Sequence, residues 1–171
     1  MNYFEFYQLP VQFGLDVGKV KRLYLLKSKE THPDYFTLAS AKEQEDAMHQ
    51  ASINNEAYKV LSDSNLRTKH ILELKGAIQE GEKNELSPNF LMEMMDINEQ
   101  LMDAAFEPAA RQEVEVKVNG LLEGLKDTES PLMKAFDEGE DGAILQKIKE
   151  IYFQRKYLLR IKEKLNTFAN P

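Results

Sequence analysis

Apolar residues recur at helical rather than alternating spacing along most of the chain, a pattern that predicts an all-α protein made of two groups of helices. The first group is a pair of stretches, Asp16 to Thr31 and Ala41 to Ser62. Val20, Leu23 and Tyr24 line one stretch; Met48, Ala51, Ala57, Tyr58 and Leu61 line the other. Between them stands His32-Pro33-Asp34. Proline disfavours helical backbone in the residue before it, so the first helix stops near His32. Ser40 is placed to N-cap the second. The expected unit is an antiparallel helical hairpin with a polar tripeptide at its exposed tip. Phe4, Tyr7 and Leu9 belong to a short helix or turn that covers the hairpin, and Leu66 to Gly76 closes it as a last short helix with Gly76 at the C′ position.

Residues 77–86 are polar and without period, and read as a linker. From Ser87 the character changes. Ser87-Pro88 is an N-cap followed by proline at the first helical position, opening a helix over 88–107. Pro108 starts a second helix that runs to about Asp127; residues 128–142 read as weakly structured, and a third helix begins near Asp141 and continues to Asn166. Three amphipathic segments joined by turns close most economically as an antiparallel three-helix bundle over 87–171, beside a hairpin unit over 1–76. Phe90, Met94, Ile97 and Leu101 serve its core, with Val114, Val118, Leu121, Leu122 and Leu125 from the second helix. The third helix contributes Leu145, Ile148, Ile151, Tyr152, Leu158, Leu159, Ile161 and Leu165. Gly120 and Gly124, four apart, permit close helix approach.

Composition narrows the function. Of 171 residues, 42% are hydrophobic and 30% charged, the balance of an ordinary globular protein. Twenty-two cationic against 29 acidic side chains leave a net charge of −7, which argues against general nucleic-acid binding through phosphates. There is no cysteine, hence no disulfide, thiolate metal site or thiolate-held cluster, in keeping with a reducing compartment. No apolar run has the length to span a bilayer, and the N-terminus lacks the pattern of a secretory signal. Cytoplasm is the expected location; a mitochondrial matrix protein stripped of its targeting segment would read alike.

Three features are candidates for chemistry. His32-Pro33-Asp34 is explicable as turn chemistry alone, with proline fixing φ and aspartate capping. A catalytic acid–base pair is the other reading, but no serine, cysteine or second acid is placed to join it, so no catalytic residue is assigned. The helix before the tripeptide carries Lys19, Lys21, Arg22, Lys27 and Lys29 against only Asp16 and Glu30, which is either a solvated surface or a local basic face. On the 88–107 helix, Leu91, Met92, Met95, Asp96, Glu99 and Asp103 fall within a sector of roughly 140° at about 100° per residue, grading from apolar to acidic. That surface is either a broad core stripe, since methionine fills irregular cores, or an adaptable partner face with an acidic rim. The three histidines, His32, His49 and His70, supply one Asp46-x-x-His49 spacing, short of the paired motifs that a di-iron bundle needs. No metal or cofactor is expected.

The stretch Tyr3 to Gly76, with its opening YFEFYQLP, the helix carrying Val20 and Tyr24, the His-Pro-Asp and then Asn55-Glu-Ala-Tyr-Lys-Val-Leu61, resembles the J domain, the DnaJ-like module that docks on DnaK-type ATPase chaperones. It departs from that pattern at Tyr35, where a basic residue usually follows, at Lys27 and Thr31, where apolar or aromatic residues are usual, and at Ser64-Asn65. The J domain followed by a short bundle opening on FLMEMMDINEQL is similar, over essentially the whole chain, to the HscB (Jac-type) iron–sulfur co-chaperones, in the simpler bacterial form without a cysteine zinc module. The resemblance implies a non-enzymatic adaptor with two partners. Through His32, Pro33, Asp34 and the basic side chains Lys19, Lys21, Arg22 and Lys29 it would bind a DnaK/HscA-type chaperone and stimulate its ATPase. Through Leu91, Met92, Met95, Asp96, Glu99 and Asp103, joined by Phe153 of the last helix, it would hold the IscU-type scaffold on which iron–sulfur clusters are assembled. A J-domain adaptor for another client, or a helical structural or oligomerisation protein whose tripeptide is only a turn, are the alternatives.

Overall fold

The computed structural model describes residues 1–79, 86–139 and 141–169. The chain divides into two compact units, Met1–Gly76 and Ala77–Pro171. Of the expected linker, residues 80–85 lie outside the described residues. Every described regular element is helical, in the order α1 (Tyr3–Phe6), α2 (Val17–Glu30), a 3₁₀ turn (Pro33–Tyr35), α3 (Ala41–Ser62), α4 (Ser64–Leu74), α5 (Pro88–Ala104), α6 (Pro108–Gly139) and α7 (Gly142–Ala169).

In the first unit, side chains at the helix ends fix where the helices begin. Asp16 accepts from the Lys19 N–H at the start of α2. Ser40 and Glu43 form a reciprocal capping box at the start of α3, which satisfies two otherwise orphaned backbone donors. The Ser40 hydroxyl and N–H donate to Glu43 and hold its carboxyl below the usual range. Gly76 takes φ of +69°, the left-handed conformation that ends α4 with no Cβ penalty.

α2 and α3 pack along a seam that is apolar except at one point. Val20, Ala47, Ala57 and Leu61 are buried, and so is Asn54. Its amide donates to the Tyr24 carbonyl (3.0 Å) and the Ser28 hydroxyl (2.9 Å) on α2, while its side-chain carbonyl accepts from the Tyr7 hydroxyl at 2.7 Å. One amide therefore ties α2, α3 and the segment after α1 together. Burial, with nearby Tyr24 and Tyr58, pushes the Tyr7 hydroxyl far above its ordinary range, so it stays a donor. Tyr24 stacks on Tyr58 with centroids 4.4 Å apart. The N-terminal segment is held down by buried Phe4, Tyr7, Leu9 and Phe13, and Arg67 of α4 donates from Nε to the Phe13 carbonyl at 3.0 Å. His70 lies under the same segment, its Nε2 accepting from the Tyr3 N–H at 3.4 Å beneath the rings of Tyr3 and Phe4. Met48, expected in the seam, is 72% exposed. The buried stripe of α3 instead runs Ala47, Asn54, Ala57 and Leu61, and its polar member hides it from a purely apolar period.

In the second unit, α5, α6 and α7 enclose a core of Phe90, Met94, Ile97, Leu101, Ala104, Val114, Val118, Leu158, Ile161 and Leu165. Leu121, Leu122 and Leu125 are half-buried against it. Leu159 stands at its edge, 36% exposed. The segment 128–142 is not weakly structured as expected, because α6 continues unbroken to Gly139 with Pro131 inside it. Proline in a helix interior costs about 3 kcal/mol through the lost donor and ring clash. Tertiary contacts offset it: Phe136 is buried, and Glu129 forms a buried ion pair with Arg155 of α7. Nor do Gly120 and Gly124 mark a close approach, for a Cβ at either would meet nothing within 4 Å.

Removing the amide at position 54 takes one of two acceptors from the Tyr7 hydroxyl, leaving it the backbone carbonyl of residue 54 at 3.1 Å, and takes the side-chain donor from the Tyr24 carbonyl and the Ser28 hydroxyl. Asn54→Ala is expected to lower the unfolding free energy of the hairpin unit by about 2–3 kcal/mol, the cost of a lost buried network. Asn55→Ala, which removes only the exposed bond to Tyr24 (3.2 Å), is expected to cost under about 0.5 kcal/mol. Urea titrations of both variants check this contrast. Burial also pushes the His70 imidazole below its usual range, Glu73 opposing and the N-terminal ammonium adding to it. An unfolded histidine protonates near pH 6.5, so as pH falls below that value the unfolded chain takes up the proton first. Stability is therefore lost on acidification until the lowered pKa of the folded state is reached. His70→Phe is expected to flatten the decline in urea midpoint between pH 7.5 and 5.5.

Candidate functional sites

The tip of the hairpin is a small hydrogen-bonded frame. His32 N-caps the 3₁₀ turn in extended backbone, and its Nδ1 accepts from the Asp34 N–H at 3.3 Å. The carbonyls of His32, Pro33 and Phe36 accept from the N–H groups of Tyr35 (3.0 Å), Phe36 (2.9 Å) and Ala39 (3.0 Å). Asp34 Oδ2 lies 3.5 Å from the same His32 nitrogen, with the two side chains 84% and 54% exposed. A side-chain contact that exposed contributes little to stability. The arrangement is chemically a fixed imidazole, a pyrrolidine ring and a carboxylate, all at the surface and all on one turn. With Nδ1 committed to the turn, Nε2 is the ring nitrogen left for a partner.

The rest of this surface follows from α2. Lys19, Lys21, Arg22 and Lys29 are exposed, Arg22 loosely paired with Asp16 at 3.7 Å. Lys27 stands apart from them, half-buried with its ammonium 4.6 Å from the centre of the Phe6 ring. Beside Pro33, a cleft of about 460 Å³ is lined by Thr31, Phe36, Ala47, Met48 and Ala51. The small side chains of Thr31, Ala47 and Ala51 leave that room between α2 and α3.

The second surface is α5. Ser87 caps it, its hydroxyl accepting from the Phe90 N–H, and Pro88 sits at the first position. One face of α5 builds the bundle core. The opposite face presents Leu91 (44% exposed), Met92 (67%) and Met95 (61%), with Asp96, Glu99 and Asp103 exposed beside them. These six residues share one open surface. Phe153 does not join them: it is 8% exposed on α7, its ring edge-on to Tyr152 at 5.1 Å, whereas the core beneath α5 takes Leu158, Ile161 and Leu165 from that helix. Two exposed residues escaped the sequence reading, Met102 at 73% and Phe106 at 87%. Met102 was legible, since it falls in the angular sector of Leu91 and Met95. Phe106 was legible too, since on the expected helix over 88–107 it falls in the same sector, although α5 ends at Ala104 and the residue stands on the turn beyond. Among the described residues, no three metal-binding side chains converge, and no helix is long and apolar enough to cross a membrane.

Known proteins resemble this chain in both sequence and fold. Residues 86–166 match the family model described as the HSCB C-terminal oligomerisation domain. The co-chaperone HscB homologue of Paraburkholderia phymatum is 30% identical over 99% of this chain and 97% of its own length. The mouse protein named iron–sulfur cluster co-chaperone HscB is 31% identical, over 99% of this chain and 70% of its own. Among solved structures, human HscB superposes with a TM-score of 0.81 at 28% identity, over 100% of this chain and 83% of that one. Vibrio cholerae HscB gives 0.64 at the same identity, covering 96% and 99%. With relatives of this identity aligned along nearly its whole length, the chain belongs to the HscB family of co-chaperones.

Proposed function

We propose that the protein is an adaptor in iron–sulfur cluster assembly, without an active site of its own, that brings a scaffold protein to an ATP-driven chaperone in the cytoplasm. The mouse relative's name supports the pathway. The J domain, through His32, Pro33 and Asp34 and the cations Lys19, Lys21, Arg22 and Lys29, engages a DnaK/HscA-type chaperone and stimulates its ATPase. The catalytic groups and the nucleotide belong to that chaperone. The α5 face, through Leu91, Met92, Met95, Asp96, Glu99 and Asp103, holds an IscU-type scaffold. Holding both partners on one chain raises the effective concentration of each for the other.

The observation that carries the reading is the exposure of the tripeptide on a frame that its own backbone already orders, at the end of a hairpin pinned by Asn54. A docking element of that kind loses little conformational entropy when it binds. The cations on α2 suit an acidic chaperone surface, with contacts that weaken as salt rises. On α5, flexible thioethers adapt to a partner while the acids orient it.

Steady-state ATPase of the chaperone, with and without this protein and the scaffold, is the deciding measurement. His32→Gln is expected to raise the concentration needed for half-maximal stimulation by about 30-fold or more, as for an interface hot spot worth about 2 kcal/mol. The same variant should unfold at the wild-type urea concentration, because His32 is exposed. Unchanged stimulation by it would remove the docking role. Leu91→Ala combined with Met92→Ala is expected to weaken scaffold binding in a calorimetric titration by about tenfold or more, with stability altered by under about 0.5 kcal/mol for such surface sites. Met94→Ala, one residue from the face but in the core, is expected to cost about 2–4 kcal/mol in unfolding free energy.

A further inference from the structure

The six residues assigned to α5 leave part of its apolar surface unexplained. At about 100° per residue, Leu91, Met95 and Met102 fall within roughly 40° of one another, so they form a straight row along the helix. Met92, Asp96, Glu99 and Asp103 flank that row on one side. Phe106 prolongs it past the last turn of α5, which makes a ridge of roughly 22 Å at 1.5 Å rise per residue.

Phe106 is held in place by its backbone although its ring is 87% exposed. Its N–H and that of Glu107 both donate to the Asp103 carbonyl, at 3.0 and 2.9 Å. The Arg111 guanidinium donates from Nε to the Ala104 carbonyl at 3.2 Å, and Pro108 opens α6 immediately beyond. A phenyl ring carried on an ordered turn brings large contact area with only its own side-chain torsions left to restrict, the property of an interface anchor. The acids beside the row, with exposed Glu107 at its end, call for cations on whatever covers it. An anionic membrane or nucleic acid is repelled, and a second copy packed antiparallel would set acidic margin against acidic margin.

We propose that Leu91, Met95, Met102 and Phe106 form one continuous docking ridge for the scaffold, and that Phe106 is its terminal anchor. The ring enters an apolar pocket of the scaffold bordered by lysine or arginine. This rests on the reading that α5 holds the scaffold, and it extends that face by three residues past Asp103, just under one turn.

The test is a calorimetric titration of the IscU-type scaffold into the full chain carrying Met102→Gln, Phe106→Ser or both. Each single variant is expected to weaken binding by about fivefold and the pair by about 30-fold, the range of truncated interface anchors. Unfolding midpoints should stay at the wild-type value, since both side chains are exposed. Wild-type affinity in the double variant, with binding still lost in Leu91→Ala/Met92→Ala, overturns the ridge and leaves the α5 reading standing. Wild-type affinity in all of these variants overturns both. If sedimentation shows instead that the free protein is a dimer and that the double variant is a monomer, the ridge belongs to a second copy and the proposal fails.

Discussion

A single buried amide governs how the hairpin presents its tip. Asn54 sits where two helices and the N-terminal segment meet, and each of its polar atoms has a partner on a different piece of chain. Apolar packing between α2 and α3 alone would tolerate sliding or rotation, because small residues such as Ala47 and Ala57 define no unique register. A buried polar group tolerates neither, since any shift leaves it unsatisfied at a cost of about 1–3 kcal/mol. The tripeptide therefore has a fixed position relative to the basic row of α2, as the docking role proposed for it requires.

The second unit solves a different problem. Its opening helix supplies a core and, on the reading proposed above, a contact surface at once. α5 does so by giving Phe90, Met94, Ile97 and Leu101 to the interior while leaving Leu91, Met92, Met95 and Met102 outside. Four exposed large apolar residues on one helix would invite non-specific association. Asp96, Glu99 and Asp103 beside them set terms on what can approach. The same acids that orient a cationic partner discourage a negatively charged one.

Most of this architecture was legible because the helix ends are written in local chemistry. Asp16, Ser40 and Ser87 each cap the helix that the apolar period announces, and Gly76 stops one where only glycine is comfortable. Angular position sorted the side chains of α5 into two sectors but left open whether Leu91, Met92 and Met95 were core or surface, which their exposure decides. What failed depended on contacts distant in sequence. Pro131 and its polar neighbours look like a helix breaker until Arg155, 24 residues later, is brought against Glu129. Met48 has the right residue type but the wrong phase, because the true buried stripe passes through an asparagine. Gly120 and Gly124 suggest a close crossing that the neighbouring helices do not make. Phe153 was assigned to an exposed face through family resemblance, and no local pattern distinguishes it from its buried neighbours Ile151 and Tyr152. The helix expected over 88–107 stops at Ala104, so Phe106 stands on a turn rather than on the helix itself.

The capping box at Ser40 and Glu43 has a mechanical corollary. It closes the far side of the tip, so the loop between Asp34 and α3 is clamped at both ends. A load applied at Pro33 is then carried into the full length of α3 and across to α2, with little slack to absorb it in between. The prong is then a stiff strut, which suits the docking proposed for its tip.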